Sequence, residues 1–215
     1  MQREEKSERS RRLVLDAALG LFSHQGYRAT SVREIARESG VSVGNVYHHF
    51  PDKESIFRTL LEELSEITGS PRFPFRRALS TRRFPDDIES LGFAVRDSVI
   101  EYREYMALIY VDVIEFDGKH VKAFYGEMAR RFANVVATEE GMADLKSRLR
   151  PGVSPVSALL LTSRLFFSYF TIEILFNVPQ PFGKDSAGVV KEIADMLRKG
   201  IAASDKLTSE KRSDR

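Results

Sequence analysis

The fold of this 215-residue chain is decided by residues 30–53, which read TSVREIARESGVSVGNVYHHFPDK. Ser31 and Glu34 have the spacing of a capping box, in which an N-cap hydroxyl and a carboxylate three residues later satisfy each other's backbone amides. A short apolar face follows, and Gly40 is the residue type that ends helices in the left-handed conformation. Two residues later, Ser42 is a second N-cap. The pattern predicts two short helices joined by a tight turn, which is the arrangement of a helix-turn-helix.

The second of these helices, through about His49, has the composition of a surface element. Isolated helices below about 12–15 residues are marginal in water, so this one depends on packing. Val46 and Phe50 supply one buried edge. Small residues at its start, Gly44 among them, allow the backbone to approach a surface closely. The polar and aromatic residues beyond offer hydrogen bonds to phosphates and base edges, which indicates nucleic-acid recognition.

Helical spacing continues on both sides of this motif. Before it, apolar residues at i, i+3, i+4, i+7 and i+8 predict a helix from about Val14 to Phe22, which Gly26 ends in a left-handed cap. After it, Asp52 is placed to cap a fourth helix that runs to about Ile67. The rest of the chain shows helical periods and no strand alternation of useful length. We therefore predict an all-α protein.

Composition and charge exclude several classes of protein. With 33 Lys and Arg against 31 Asp and Glu, the formal net charge is only +2, so any nucleic-acid affinity must come from locally placed charge. The absence of cysteine excludes a disulfide framework, a thiolate zinc site and a cysteine nucleophile. The longest apolar stretch, 153–178, is interrupted by Pro155, Arg164 and Glu173, so we predict no membrane span. No signal peptide pattern opens the chain, and we expect a cytoplasmic protein.

Enzyme signatures are missing from the sequence. It contains no G-x-x-x-x-G-K-[ST] phosphate loop, no G-x-G-x-x-G, no G-x-S-x-G and no H-E-x-x-H. Adjacent His48 and His49 do not indicate a metal site, because neighbouring helical residues point about 100° apart. We therefore predict a protein that is not an enzyme and that has no metal or cofactor.

The residues of the motif resemble the DNA-binding signature of the tetracycline-repressor (TetR) family. Three stretches at fixed spacing carry the resemblance: TSVREIA at 30–36, GVS at 40–42 and GNVYHHFPDK at 44–53. Residues of the preceding helix, including Asp16 and Gly26, match the family's first helix, so the resemblance covers about residues 10–62. It implies an N-terminal three-helix DNA-binding domain and a C-terminal helical bundle for ligand binding and dimerisation.

The resemblance also implies a role for each matching position. At the starts of the second and fourth helices, the positions that match phosphate-contacting residues are Thr30, Ser31, Arg33 and Lys53. Val43, Gly44 and Asn45 match positions that face base edges, and Tyr47 and His48 match positions that contact the sugar-phosphate backbone. Asn45 stands where the family often has Thr, so base preference does not transfer; Asn reads adenine bidentately in other proteins. The full set of implied DNA-binding residues is Thr30, Ser31, Arg33, Ser42, Val43, Gly44, Asn45, Tyr47, His48 and Lys53.

Two alternatives stay open beside these roles. Tyr47 could be a core aromatic residue instead of a backbone contact. The charged segment 1–12 has five basic residues and three Glu. It could reach DNA as an arm, or it could be a solvated, frayed end, which we favour because the Glu residues dilute its positive charge.

The C-terminal two-thirds of the chain is predicted to be the sensor. Most of its aromatic residues are expected to be plain core, but an aromatic helical bundle can leave an apolar cavity for a ligand. The predicted pocket consists of Phe93, Met106, Tyr110, Asp112, Phe124, Met128, Arg164 and Phe167. Asp112 and Arg164 would orient an apolar or amphipathic small molecule, unless they pair with each other or lie at a dimer interface.

The resemblance sets the predicted domain boundaries and the dimer. The DNA-binding domain is assigned to 1–52, and the ligand-binding and dimerisation domain to 53–203, with 53–68 as the connecting helix. Residues 204–215 are predicted to be a disordered tail. The family's dimers pack their last two long helices as a four-helix bundle, which corresponds here to 155–176 and 185–201.

Taken together, the sequence predicts a transcriptional regulator, most simply a repressor. It would bind a palindromic double-stranded DNA operator as a homodimer and be released by the ligand. The alternative is an all-α ligand carrier or enzyme in which the helix-turn-helix is coincidental. A gel-shift test at varied salt concentration separates the two, because only the regulator should bind DNA.

Overall fold

The computed structural model describes residues 2–81, 83–136 and 139–201, and the tail predicted for 204–215 lies outside them. The described residues form helices and no strand ladder, which confirms the all-α prediction. The helices are α1 (Gln2–Gln25), α2 (Val32–Ser39), α3 (Val43–His49), α4 (Lys53–Gly69), α5 (Pro74–Ser80), α6 (Ile88–Glu101), α7 (Arg103–Glu115), α8 (Val121–Val136), α9 (Glu139–Arg148), α10 (Pro155–Phe170) and α11 (Ser186–Ile201). A π-helical turn, Thr171–Leu175, extends α10.

The chain divides into two compact units, and the first consists of Met1–Thr68 and Tyr102–Glu127. In it, α1 packs against α2, α3 and α7. Its core is made by the apolar faces that helical spacing predicts, joined by residues of α7 and α8. The buried side chains include Val14, Leu15, Ala18, Phe22, Ile35, Val46, Phe50, Ile56, Phe57, Leu60, Leu64, Leu108 and Phe124.

The division differs from the predicted boundary at residue 52. Helix α4 belongs with the helix-turn-helix because its buried residues, among them Phe57 and Leu60, lie in the core of the first unit. Residues 102–127 join the same unit, although they come much later in the chain. A side-chain cluster illustrates this packing: Arg12 of α1 donates to Glu63 of α4 at 3.0 Å, and Tyr105 of α7 donates to the same carboxylate at 2.7 Å.

The second unit consists of Gly69–Glu101 and Met128–Arg215, and α6 packs against α5, α10 and α11 in it. The stretch Pro155–Leu175 is 21 residues long and apolar enough to cross a membrane by length and composition, a test that core helices of soluble proteins also pass. Phe166 and Phe170 of this stretch are fully buried. Helix α10 is therefore a core helix of this unit.

Candidate nucleic-acid interface

The helix-turn-helix is built by local hydrogen bonds of the kind that the sequence predicts. Ser31 Oγ accepts from Glu34 N–H at 3.2 Å, and Glu34 Oε2 accepts from Ser31 N–H at 2.8 Å, which completes the capping box. Hydrogen bonding of its carboxylate by the side chain and the backbone of Ser31 lowers the pKa of Glu34. Gly40 ends α2 with φ 70°, a left-handed conformation that a residue with a Cβ adopts at a cost. Ser42 then caps α3 by accepting from Asn45 N–H at 3.1 Å.

Helix α3 has one buried and one exposed side. Val46 and Phe50, one turn apart, are 1% and 3% exposed and hold the helix against the first unit, as predicted. The other side presents Val43, Tyr47 and His48 to solvent. Tyr47 is 52% exposed, which excludes the alternative that it is a core residue. This surface has the mixture of apolar, aromatic and polar groups that contacts bases and backbone in nucleic acids.

Gly44 lies in the first turn of α3, and the fold does not require a glycine there. A Cβ added to Gly44 would meet only Ser42 Oγ, at 4.0 Å, and its φ is not positive. Glycine costs about 0.5–1 kcal/mol relative to alanine in a helix interior, so in the first turn alanine should make the helix more stable by up to about this amount. Gly44 is therefore unfavourable for the helix and unnecessary for its packing. Its presence indicates that the surface of a binding partner approaches the backbone of α3 closely at this position.

The predicted phosphate contacts at the start of α2 separate into two kinds. Ser31 and Arg33 are exposed and face solvent. Thr30 is 1% exposed, and its hydroxyl donates to Gly26 O at 2.8 Å and accepts from Gln25 Nε2 at 3.2 Å. The structure therefore gives the Thr30 side chain a role in closing the α1–α2 turn in place of the phosphate contact predicted for it.

Lys53 likewise has partners inside the protein. Its Nζ donates to Tyr27 O at 2.7 Å and to Thr30 O at 2.6 Å, and it lies 4.0 Å from the centre of the Tyr27 ring. Burial lowers the pKa of Lys53, while the charge of Glu115 opposes that effect. The phosphate contact implied by the resemblance is replaced by a bond to the turn between α1 and α2, because both of these carbonyls point at the ammonium group.

Glu115, the last residue of α7, holds the same turn from its amide side. Its carboxylate accepts from Tyr27 N–H at 3.0 Å and from Arg28 N–H at 2.6 Å. Gly26 is required here, because it has φ 86° and an added Cβ would lie 2.6 Å from Glu115 Oε1. No local sequence pattern identifies Glu115, since it lies 87 and 88 residues from these partners along the chain.

Asp112 is fully buried and has a role in the fold in place of the ligand contact predicted for it. Its Oδ2 accepts from the backbone N–H groups of His120 and Val121 at 3.1 and 2.8 Å, so it caps α8. Its Oδ1 lies 2.6 Å from His120 Nδ1, and His120 Nε2 lies 3.1 Å from Glu54 Oε1 at the start of α4. These bonds satisfy the buried carboxylate, so the predicted alternative of a pair with Arg164 does not describe it.

The other predicted pocket residues are distributed over both units. Met106 and Phe124 are buried in the first unit, and Tyr110 is 37% exposed there. In the second unit, Phe167 packs edge-on against Phe75, and Arg164 is exposed. A depression of about 90 Å³ in the second unit is lined by residues outside the predicted set: Ala78, Leu79, Thr81, Arg83, Phe84, Asp87, Ser90 and Leu91.

The N-terminal segment, for which an arm or a frayed end was expected, is helical from residue 2. Its residues pack against α3. Ser10 Oγ donates to Asn45 Oδ1 at 3.2 Å, and the Arg11 guanidinium lies 5.4 Å from the centre of the Phe50 ring. Burial, with the charges of His48 and Arg11, lowers the pKa of His49. The first turns of α1 therefore support the exposed helix from the side.

This geometry defines the class of the protein: a helix-turn-helix of the kind that places its second helix in the major groove of DNA. Residues 14–60 match the family described as bacterial regulatory proteins, tetR family. The helix-turn-helix of this chain is therefore similar to the DNA-binding domain of the TetR family.

Individual relatives agree with this assignment. The chain is 31% identical over 128 residues to the HTH-type transcriptional regulator AcrR of Shigella flexneri. The alignment covers 59% of this chain and 55% of AcrR. It is also 48% identical over 86 residues to the HTH-type transcriptional repressor KstR2 of Rhodococcus jostii. This alignment covers 40% of this chain and 42% of KstR2. The chain thus spans about half or less of the length of these curated relatives.

The fold of the whole chain also has solved counterparts. The structure of NalD, the secondary repressor of the MexAB-OprM multidrug efflux pump in Pseudomonas aeruginosa, matches with a TM-score of 0.57 at 23% identity. The match covers 93% of this chain and 99% of NalD. The similarity therefore extends beyond the helix-turn-helix to the C-terminal helices.

Proposed function

We propose that this protein is a cytoplasmic DNA-binding transcriptional repressor and not an enzyme. The observation that carries the proposal is the exposed side of α3. This helix is held by its buried edge and has in its first turn a glycine, Gly44, that the fold does not need. Relatives whose names describe regulators and a repressor support it. The DNA-contacting set consists of the half-buried Asn45 and the exposed residues of the predicted set: Ser31, Arg33, Ser42, Val43, Gly44, Tyr47 and His48.

The roles within this set follow from chemistry. Arg33 and the amides at the start of α2 would bind phosphates, since a helix N-terminus favours anions. Val43 and Asn45 would face base edges in the major groove, and Tyr47 and His48 would contact the sugar-phosphate backbone. Lys53 and Glu115 would act indirectly, because they hold the turn that sets the position of α2.

The proposed assembly is a homodimer through α10 and α11. Helix α10 and its π turn expose apolar side chains at helical spacing: Leu161 is 68% exposed, Leu165 44% and Ile172 36%. Met196 of α11 is 69% exposed. Exposed large apolar side chains repeated along one helix are typical of a protein interface. A dimer would present two copies of α3 to a two-fold symmetric operator.

The proposed effector is an apolar or amphipathic small molecule that binds among the C-terminal helices and releases DNA. Helix α4 supports the proposal, because it begins at Lys53, which holds the α1–α2 turn, and leads along the chain into the second unit. A typical allosteric coupling is about 1–3 kcal/mol, and it is reciprocal. Calorimetric titration of a candidate effector with and without operator tests this, since equal affinities in the two titrations would contradict it.

The DNA-binding proposal is tested by titrating the protein with a fluorescent DNA duplex at several salt concentrations. Wild-type protein should bind, with log K falling linearly with log salt as counterions are released. Arg33→Ala should reduce that slope by about one per chain. Arg58→Ala is the matched control, because Arg58 is exposed on α4 and pairs there with Glu62. The proposal fails if wild-type protein does not bind DNA at low salt.

A further inference from the structure

The contact between Ser10 and Asn45 joins a residue of α1 to a side chain that is proposed to read DNA. Ser10 Oγ donates to Asn45 Oδ1 at 3.2 Å across 35 residues of sequence, and both side chains are half-buried. Asn45 is also fixed through its backbone, because its N–H donates to the Ser42 cap at 3.1 Å. The amide plane of Asn45 is therefore oriented by a hydroxyl from another helix.

The direction of this bond determines which group Asn45 offers to a base. Oδ1 and Nδ2 lie on opposite sides of the amide carbon, so holding Oδ1 towards α1 turns the NH₂ group away from α1. A bidentate pair with adenine needs both groups, since adenine presents an N7 acceptor and an N6 donor. Guanine presents two acceptors, N7 and O6, to which the NH₂ group alone can donate. Oδ1 has a second lone pair beside the one that Ser10 occupies, so the bond fixes the orientation of the amide, and that orientation sets which of the two purine edges Asn45 pairs with better.

We propose that Ser10 is a specificity-determining residue: by donating to Oδ1 it holds the amide of Asn45 in one orientation and so sets which base edge this position prefers. The inference rests on the proposed function and adds to it a residue outside the helix-turn-helix. It also explains why the first turns of α1 pack on α3, where Arg11 lies over the Phe50 ring. The N-terminal helix contributes to base choice by positioning a side chain, without touching the base itself.

The test measures base preference. Wild-type protein is used to select duplexes from a random-sequence library, and the selected half-site is then varied base by base in competition binding. Asn45→Ala identifies the position that Asn45 reads, because preference should be lost there. Ser10→Ala should lower the ratio of the preferred base over the next-best base at that same position by about two- to tenfold, the range of one ordinary hydrogen bond.

Two variants control for structural effects. Ser10→Thr keeps a hydroxyl at the position and should retain the wild-type base preference. Ser7→Ala removes a hydroxyl one turn earlier on α1, leaves the Ser10–Asn45 bond in place, and should behave as wild type. Thermal unfolding and the affinity for non-specific DNA should change little in all three serine variants, because the bond orients a side chain and does not hold the fold together.

The outcomes separate this inference from the function on which it rests. If wild-type protein enriches no sequence, the proposed function fails and the inference with it. If it enriches a site but Ser10→Ala has the wild-type profile, only the inference is overturned. Loss of preference at every half-site position in Ser10→Ala would also overturn it, because α1 would then merely support the whole of α3.

Discussion

Replacing Gly44 with alanine should separate the stability of this protein from its binding to DNA. The position is in the first turn of α3, has no positive φ, and offers an added Cβ no contact closer than Ser42 Oγ at 4.0 Å. Alanine is favoured over glycine in helices by about 0.5–1 kcal/mol. For a chain of this size, that gain corresponds to a rise in Tm of about 1–4 °C. If only contacts within the chain mattered, Gly44→Ala should therefore raise the stability of the protein.

Binding to DNA should change in the opposite direction. If the start of α3 lies against base edges, the methyl group of alanine at residue 44 would separate the helix backbone from a base and remove a contact with it. Losing the equivalent of one matched base pair costs about 1–3 kcal/mol, or about 5- to 150-fold in affinity. A single change should therefore stabilise the protein and weaken the complex, a combination that loss of folding does not produce.

The assay pairs thermal unfolding with fluorescence-anisotropy titration on a selected duplex. Gly20→Ala is the matched control, because Gly20 lies within α1 and an added Cβ there meets no atom within 4 Å. It should raise the Tm by a similar amount and leave the affinity unchanged. The reasoning is refuted if Gly44→Ala binds the duplex as tightly as wild type, since the start of α3 would then not approach the DNA.

Three further predictions follow from single features of the structure. Glu115→Ala should destabilise the first unit by about 1–3 kcal/mol in urea unfolding, because two amides of the α1–α2 turn lose their acceptor, and Glu115→Gln should cost less because it keeps one acceptor oxygen. Leu161→Glu should shift sedimentation from dimer to monomer with the helical content unchanged, because this side chain is 68% exposed; an unchanged dimer would place the interface elsewhere. Burial, followed by the hydrogen bond to Glu63, raises the pKa of Tyr105 from 10.0 to about 12. The neutral phenol should therefore contribute its full stability to the fold below about pH 10, and this contribution should be lost as the pH rises towards 12. Tyr105→Phe should flatten that fall in the urea midpoint, and an equally steep fall in the variant would contradict the assignment.

The parts of the site that the sequence predicted are those with local causes. The Ser31–Glu34 capping box, the left-handed Gly40 and the buried pair Val46 and Phe50 each depend on residues within one turn of each other. Spacing along the chain is enough to identify such features, because the helix itself brings the partners together.

The parts that were not predicted depend on contacts between distant segments. Lys53 has the position of a phosphate-binding residue in the sequence, but two carbonyls 23 and 26 residues away bind its ammonium group. Asp112 in an apolar run suggested a ligand contact, whereas it caps α8 through bonds to residues eight and nine positions later. Whether a charged side chain faces outward or finds an internal partner is decided by packing, which local periodicity does not encode.

The central claim, that the exposed side of α3 reads a DNA sequence in a dimer, is tested most directly by selection from a random-sequence duplex library. The account predicts enrichment of a two-fold symmetric sequence whose half-sites lie about 34–36 Å apart, or further for a wide dimer, with two chains bound to each duplex. A sequence pool unchanged after repeated rounds, or a selected site bound by one chain, would contradict it.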